Sequence, residues 1–173
     1  PSKIPLAYLT DVKKEIENLI KAGIWEKSDS PWRSPLCIVR TGGPGTDKPL
    51  KTRLTVDFTA VNKVLRDITW PMEDVTELVH RMARDGMIFC DADYRAAFHQ
   101  CALADEQSKA ITAVDTPMGH MMYRRMPMGI KTAPSAMAAG GALTFQHMRE
   151  HVAVYVDDAS LIAPNLEVFT QVL

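Results

Sequence analysis

Val152-Ala-Val-Tyr155-Val-Asp157-Asp158-Ala-Ser-Leu-Ile-Ala163 reads as two apolar strands, 152–156 and 159–163, joined at a pair of aspartates. Adjacent aspartates are common hairpin-turn residues. Here they stand between two apolar strands with no Gly or Asn to make the turn. Like charges side by side repel, and a buried ion without a partner is costly. A divalent metal removes that cost, because hard cations such as Mg²⁺ take oxygen ligands, usually one or two carboxylates plus substrate phosphates.

A second acidic site lies upstream. Ile88-Phe89-Cys90-Asp91-Ala92-Asp93 ends a predicted buried strand, 87–92, on carboxylates. The period of two puts Asp91 and Asp93 on one face. Capping of the following turn explains an Asp-x-Asp equally well. If the sheet brings Asp93 and Asp157 together, metal ions held there can activate an attacking oxygen and stabilise the leaving oxygen of an in-line phosphoryl displacement.

Working outward, Thr10 and Asp11 open a predicted helix with Val12, Ile16, Leu19 and Ile20 on one stripe and Gly23 closing it. Pro31, Trp32 and Pro35 mark an extended passage. Residues 36–40 read as a strand, 41–49 as a loop, and Leu54, Val56 and Phe58 alternate with polar neighbours in a second strand. These two strands form an expected hairpin with a long, partly basic tip. Met72, Val75, Leu78, Val79 and Met82 recur at helical spacing before a break at Gly86. Residues 111–116 and 120–126 flank Met118-Gly119 as another hairpin. Thr132 caps a helix with Pro134 in its first turn, and Gly140 and Gly141 weaken that helix's second half. Asn165 begins a last one. Helices and strands do not strictly alternate, so the expected class is α+β with an antiparallel sheet.

The 173 residues amount to one domain's worth of chain, with 46% hydrophobic and 24% charged residues, close to the globular average. No apolar run approaches the roughly 18 residues of a membrane span, and the first residues do not form a signal peptide. The absence of a starting Met suggests a piece of a longer chain. Three cysteines, Cys37, Cys90 and Cys101, contain no Cys-x-x-Cys, which argues against a disulfide framework or zinc knuckle. Net charge is −1, milder than a dedicated nucleic-acid binder requires. It is unevenly spread. Residues 1–66 hold 12 Lys+Arg against 7 Asp+Glu, and residues 67–120 hold 4 against 10. A phosphate-facing region beside a metal-facing one has that pattern, and so does ordinary surface variation.

Tyr155-Val156-Asp157-Asp158 between apolar strands resembles the Tyr-x-Asp-Asp box of reverse transcriptases. Further boxes follow the order of gypsy-type long-terminal-repeat retrotransposon polymerases. Ser30-Pro-Trp-Arg-Ser-Pro35 resembles Ser-Pro-Trp-x-Ser-Pro. Arg53-Leu-Thr-Val-Asp57-Phe-Thr-Ala-Val-Asn62-Lys63 resembles Arg-x-x-x-Asp-Tyr-Arg-x-Leu-Asn-x. Asp93-Tyr-Arg-Ala-Ala-Phe98-His-Gln100 resembles Asp-Leu-Arg-Ser-Gly-Tyr-His-Gln. Thr116-Pro-Met-Gly-His120 and Met126-Pro-Met-Gly129-Ile-Lys-Thr-Ala-Pro134 resemble Thr-Pro-Phe-Gly-His and Met-Pro-Phe-Gly-Leu-x-Asn-Ala-Pro. The resemblance spans about residues 12–163.

The resemblance implies a right-hand polymerase fold. It places fingers at about 1–86 and 104–134, and at about 87–103 and 135–173 a palm whose antiparallel sheet packs on helices. The thumb is lacking. It implies an RNA-directed DNA polymerase using two Mg²⁺ ions, with Mn²⁺ as a substitute. Asp93 and Asp157 would bind the metals directly, with Asp158 in support and the Tyr94 carbonyl as a further ligand. Arg53 matches the arginine over the incoming triphosphate, where a bidentate guanidinium is suited. Phe98 matches the aromatic ring under the sugar, which leaves no room for a 2′-hydroxyl, and Met128 matches a nucleotide contact. The implied partners are a primed RNA or DNA template, deoxynucleoside triphosphates, and the thumb, connection and ribonuclease H regions of the same polyprotein. The implied location is intracellular, in cytoplasm or virus-like particle, with no membrane role. The 173 residues alone are expected to extend a primer poorly. Asp91 has no matching acid and is read as structural.

Departures from the family pattern are Met128 for Phe, Thr132 for Asn, Ala97 for Gly and Thr59 for Arg. A degenerate, non-polymerising relative fits these departures, although the metal ligands are intact. A phosphohydrolase using Asp91 and Asp93 would want Thr or Val where Arg95 stands. A Ca²⁺ loop starting at Asp91 would want Gly at Ala96 and Glu at Ala102.

Overall fold

The computed structural model describes residues 4–42, 51–71, 74–83 and 88–172. The chain divides into two compact units, Pro1–Arg66 with Phe98–Lys131, and Asp67–Ala97 with Thr132–Leu173.

The first unit opens with a short 3₁₀ turn, Leu6–Tyr8, that runs into α1, Leu9–Lys21. The helix therefore starts before the expected Thr10-Asp11 cap, and Tyr8 at its N-cap makes no side-chain hydrogen bond. Val12 and Ile16 are fully buried, whereas Ile20 lies on the exposed side. Gly23 ends the helix with φ +67°, a conformation natural to glycine.

Five strands form the first unit's sheet: β1 (Trp25–Lys27), β2 (Ser34–Thr41), β3 (Lys51–Val56), β5 (Val114–Thr116) and β6 (Gly119–Tyr123), in the order β1-β6-β5-β2-β3. The expected β2–β3 hairpin is present, registered from Leu36↔Val56 to Thr41↔Lys51. Residues 43–50 of its tip lie outside the described residues. Burial alternates along β3, with Lys51, Arg53 and Thr55 outward. The sheet is not wholly antiparallel, because β2 runs parallel to β5 at Ser34↔Val114 and Pro35↔Asp115. Strand β1 leaves no signal in the sequence, since three residues are too few to show a period. It is fixed by Trp25, which packs edge-on against its register partner Tyr123 at 5.3 Å between ring centroids. Short helices α2 (Thr59–Val64), α4 (Ala97–Gln100) and α5 (Glu106–Ala110) fill the connections.

In the second unit, α3 (Val75–Met82) is capped by Asp74, whose carboxylate accepts the Thr76 and Glu77 N–H groups at 2.8 and 3.3 Å. Met72 and Gly86, which bound the helical pattern in the sequence, fall outside the described residues. Three antiparallel strands, β4 (Ile88–Asp93), β8 (Asp158–Ala163) and β7 (Val152–Tyr155), lie in the order β4-β8-β7. The expectation of a buried β4 is corrected. Among the described residues it pairs with β8 alone, and residues 89–93 are exposed. Helix α6 (Ala133–Thr144) continues through both glycines with Pro134 in its first turn. Thr132 is its N-cap by position but makes no side-chain capping bond. At Gly141, α6 comes so close to β7 that a Cβ would lie 2.5 Å from Val154 Cγ1. The last helix, α7 (Leu166–Val172), is capped by Asn165 Oδ1 accepting from the Val168 N–H at 2.9 Å.

Candidate active site

The open end of the three-stranded sheet gathers the acids. Asp93 ends β4 and Asp158 begins β8, and the two are direct register partners. Directly opposed residues on antiparallel strands project to the same face, with Cβ atoms about 5 Å apart. Tyr155 is the partner of Asp158 across β7–β8, so Val156 and Asp157 form a two-residue turn. The Tyr94 N–H donates to the Asp157 carbonyl at 3.2 Å, which ties the chain after β4 to that turn. The Tyr94 carbonyl in turn accepts the Ala97 N–H at 3.2 Å and keeps a second lone pair. Asp93 is distant in sequence from Asp157 and Asp158, yet backbone pairing holds all three at one hairpin tip.

The turn is strained. Val156 has φ +57°, and Ala96, which follows Tyr94 by two residues, has φ +51°. A β-branched residue at positive φ is a genuine outlier. Such strain persists only where surrounding structure over-determines it, and it concentrates at functional sites.

Asp91 is placed differently. Its register partner is Ser160, whose hydroxyl donates to Asp91 Oδ1 at 2.5 Å. That bond engages its carboxylate within the sheet.

Among the described residues, no three His, Cys, Asp or Glu side chains form a ready metal cage. The donor set nonetheless fits Mg²⁺. The acids are hard oxygen donors on one accessible edge, and Mg²⁺ typically takes one or two protein carboxylates and completes its shell with water and phosphate oxygens.

In the first unit, Arg53 projects from the exposed side of β3. Phe98 lies half-buried in α4. Met128 is 58% exposed although its neighbours Met126 and Pro127 are buried, so a large apolar side chain is held outward on an anchored loop. Sequence reasoning assigns no role to two nearby contacts. Asp57 Oδ1 accepts both the Thr59 N–H at 2.9 Å and the Thr59 hydroxyl at 2.6 Å. These bonds hold the Asp57 carboxyl below its usual range and show what Thr59 does in place of the family's Arg. Asn62, quoted above as part of a box, bonds across to residues 129 and 131.

Residues 25–173 match the sequence model described as "Reverse transcriptase (RNA-dependent DNA polymerase)". The chain belongs to the reverse transcriptase family. It is 31% identical over 160 residues to the Retrovirus-related Pol polyprotein from transposon 412 of Drosophila melanogaster, covering 91% of this chain and 13% of that protein. It is 29% identical over 154 residues to the enzymatic polyprotein of cauliflower mosaic virus (strain Strasbourg), covering 89% of this chain and 22% of that protein. The fold matches the foamy viral protease-reverse transcriptase in complex with RNA/DNA hybrid, with TM-score 0.81 and 21% identity, over 98% of this chain and 22% of that one. This reverse transcriptase chain thus spans about an eighth to a quarter of the curated relatives' length. Among its described residues, no helix is long and apolar enough to cross a membrane.

Proposed function

We propose that the chain supplies the fingers and palm of an RNA-directed DNA polymerase from a retroelement polyprotein, and that the hairpin acids form its catalytic centre. The observation that carries this is the Asp93↔Asp158 register with Asp157 in the adjoining turn. In this reading the fingers take up about residues 1–86 and 104–134, and the palm about 87–103 and 135–173. Asp93 and Asp157 would hold two Mg²⁺ ions, or Mn²⁺, with Asp158 and the Tyr94 carbonyl in support. Bound there, the ions supply charge neutralisation at the transferring phosphate.

The chain's own residues do the rest. Arg53 pairs with the triphosphate of the incoming deoxynucleotide. Met128 contacts the same nucleotide. The Phe98 ring stands under its sugar and excludes a 2′-hydroxyl. A primed RNA or DNA template supplies the attacking 3′-hydroxyl, and thumb, connection and ribonuclease H regions of the same polyprotein clamp it. Positioning of this kind accounts for much of phosphoryl-transfer catalysis. Family membership fits an intracellular location.

The test is primer extension on an RNA template by the full-length enzyme, with Asp157→Asn as control. Extension that vanishes in the variant is the expected result, and a full-length enzyme that never extends would favour the degenerate reading. Phe98→Ala should raise ribonucleotide incorporation relative to deoxynucleotide. Unchanged sugar selectivity would assign Phe98 to the core alone.

A further inference from the structure

Asn62 sits in α2, a helix of six residues that follows β3 after a two-residue link. Its side-chain amide is used at both ends. Nδ2 donates to the Gly129 carbonyl at 2.8 Å, and Oδ1 accepts the Lys131 N–H at 2.9 Å. The two partners flank the buried Ile130, 67 and 69 positions away in sequence. One planar amide therefore replaces the pairing that a neighbouring strand would give this loop.

The loop needs such a fixture. Gly129 has φ +91°, a conformation that L side chains rarely adopt, and a Cβ there would stand 3.7 Å from Phe58 Cδ2 and 3.8 Å from the Val56 carbonyl. A glycine gives the chain its bend and also gives it freedom. Anchors before and after it remove that freedom. Met126 and Pro127 are buried on one side, and Asn62 binds on the other. Met128, directly before the bend, is left exposed in a fixed direction. The helix that carries Asn62 is joined within two residues to the strand that carries Arg53.

We infer that Asn62 is a positioning residue for the incoming nucleotide, setting the Met128 loop against the strand that bears Arg53. The inference rests on the polymerase reading of Arg53 and Met128. Asn62 acts through the backbone of residues 129 and 131.

The experiment uses the full-length enzyme and measures kcat and KM for a deoxynucleoside triphosphate, and the frequency of misincorporation. Asn62→Ala removes both bonds. Asn62→Asp is nearly isosteric and keeps the acceptor for the Lys131 N–H, but sets a carboxylate oxygen against the Gly129 carbonyl. Both variants should raise KM on the order of tenfold, as loss of one or two hydrogen bonds implies. They should raise misincorporation and leave kcat within about twofold. Met128→Ala should also raise KM, and Asn62→Ala should add little to it in the double variant, because both act through one loop.

A purely structural Asn62 gives another pattern. Lowered kcat with unchanged KM in either folded variant, or KM effects that multiply in full with those of Met128→Ala, would overturn the inference while leaving the polymerase reading intact. An unsubstituted enzyme that makes no DNA would overturn that reading and this inference together, and that result is visible before any variant is made.

Discussion

At the scale of single residues, burial decides what several polar groups do. His99 is half-buried in the first unit, its ring 6.4 Å from that of Tyr123. Burial holds its pKa below the ordinary 6.5, so the unfolded chain binds the proton more readily than the folded one. Stability is unaffected by this group well above pH 6.5, falls as pH drops below about 6.5, and levels off beneath the folded value. Replacement by Gln should remove that component. The melting temperature of His99→Gln should decline less than that of the parent between about pH 7 and 5. Parallel declines would mean that His99 does not titrate differently in the two states. Tyr123, buried in the core, has its phenol pushed up to about 12 by burial and stays neutral throughout that range. Asp115 illustrates the opposite balance. Partial burial raises its pKa, but hydrogen bonds and charges from Arg33 and His120 outweigh that and lower it.

At the scale of elements, α6 carries two adjacent glycines with different reasons to exist. A Cβ added at Gly140 would meet nothing within 4 Å, whereas at Gly141 the same atom would overlap Val154 of β7. Gly140→Ala should therefore stabilise the chain by up to about 1 kcal/mol, because it only raises helix propensity. Gly141→Ala should destabilise it by about 1–3 kcal/mol through overpacking, and Val154→Ala should recover part of the loss. Denaturant midpoints read all three. A Gly141→Ala as stable as the parent would show that the helix can move off the strand at little cost. These glycines also mark the limit of what a sequence shows. Their cost to helix propensity is plain from the sequence, but the close approach that requires one of them is a long-range contact. The strand β3 is legible because Leu54, Val56 and Phe58 follow a period of two, and β2, β7 and β8 because they are short apolar runs. β1 and α2 are not, being three and six residues long and held by tertiary partners. The exposure of β4 is hidden in the sequence because Ile88, Phe89 and Cys90 are apolar, while strand order puts them at an edge.

At the scale of the molecule, the candidate site is legible as boxes in order, and the register of the acids is not. The sequence offers Asp91, Asp93, Asp157 and Asp158 without showing which of them meet. Backbone pairing answers this. It sets Asp93 opposite Asp158, beside the Val156-Asp157 turn, and it gives Asp91 to Ser160. The catalytic reading therefore divides carboxylates that stand close together in the sequence, Asp91 from Asp93. RNA-templated primer extension by the full-length enzyme, run in Mg²⁺ with Asp91→Asn, Asp93→Asn and Asp157→Asn side by side, tests it most directly. Losses on the order of a thousandfold are expected for Asp93→Asn and Asp157→Asn, as removal of a key electrostatic group implies, with Asp91→Asn keeping most of the parent's rate. Extension that survives Asp93→Asn but disappears in Asp91→Asn would contradict the catalytic reading.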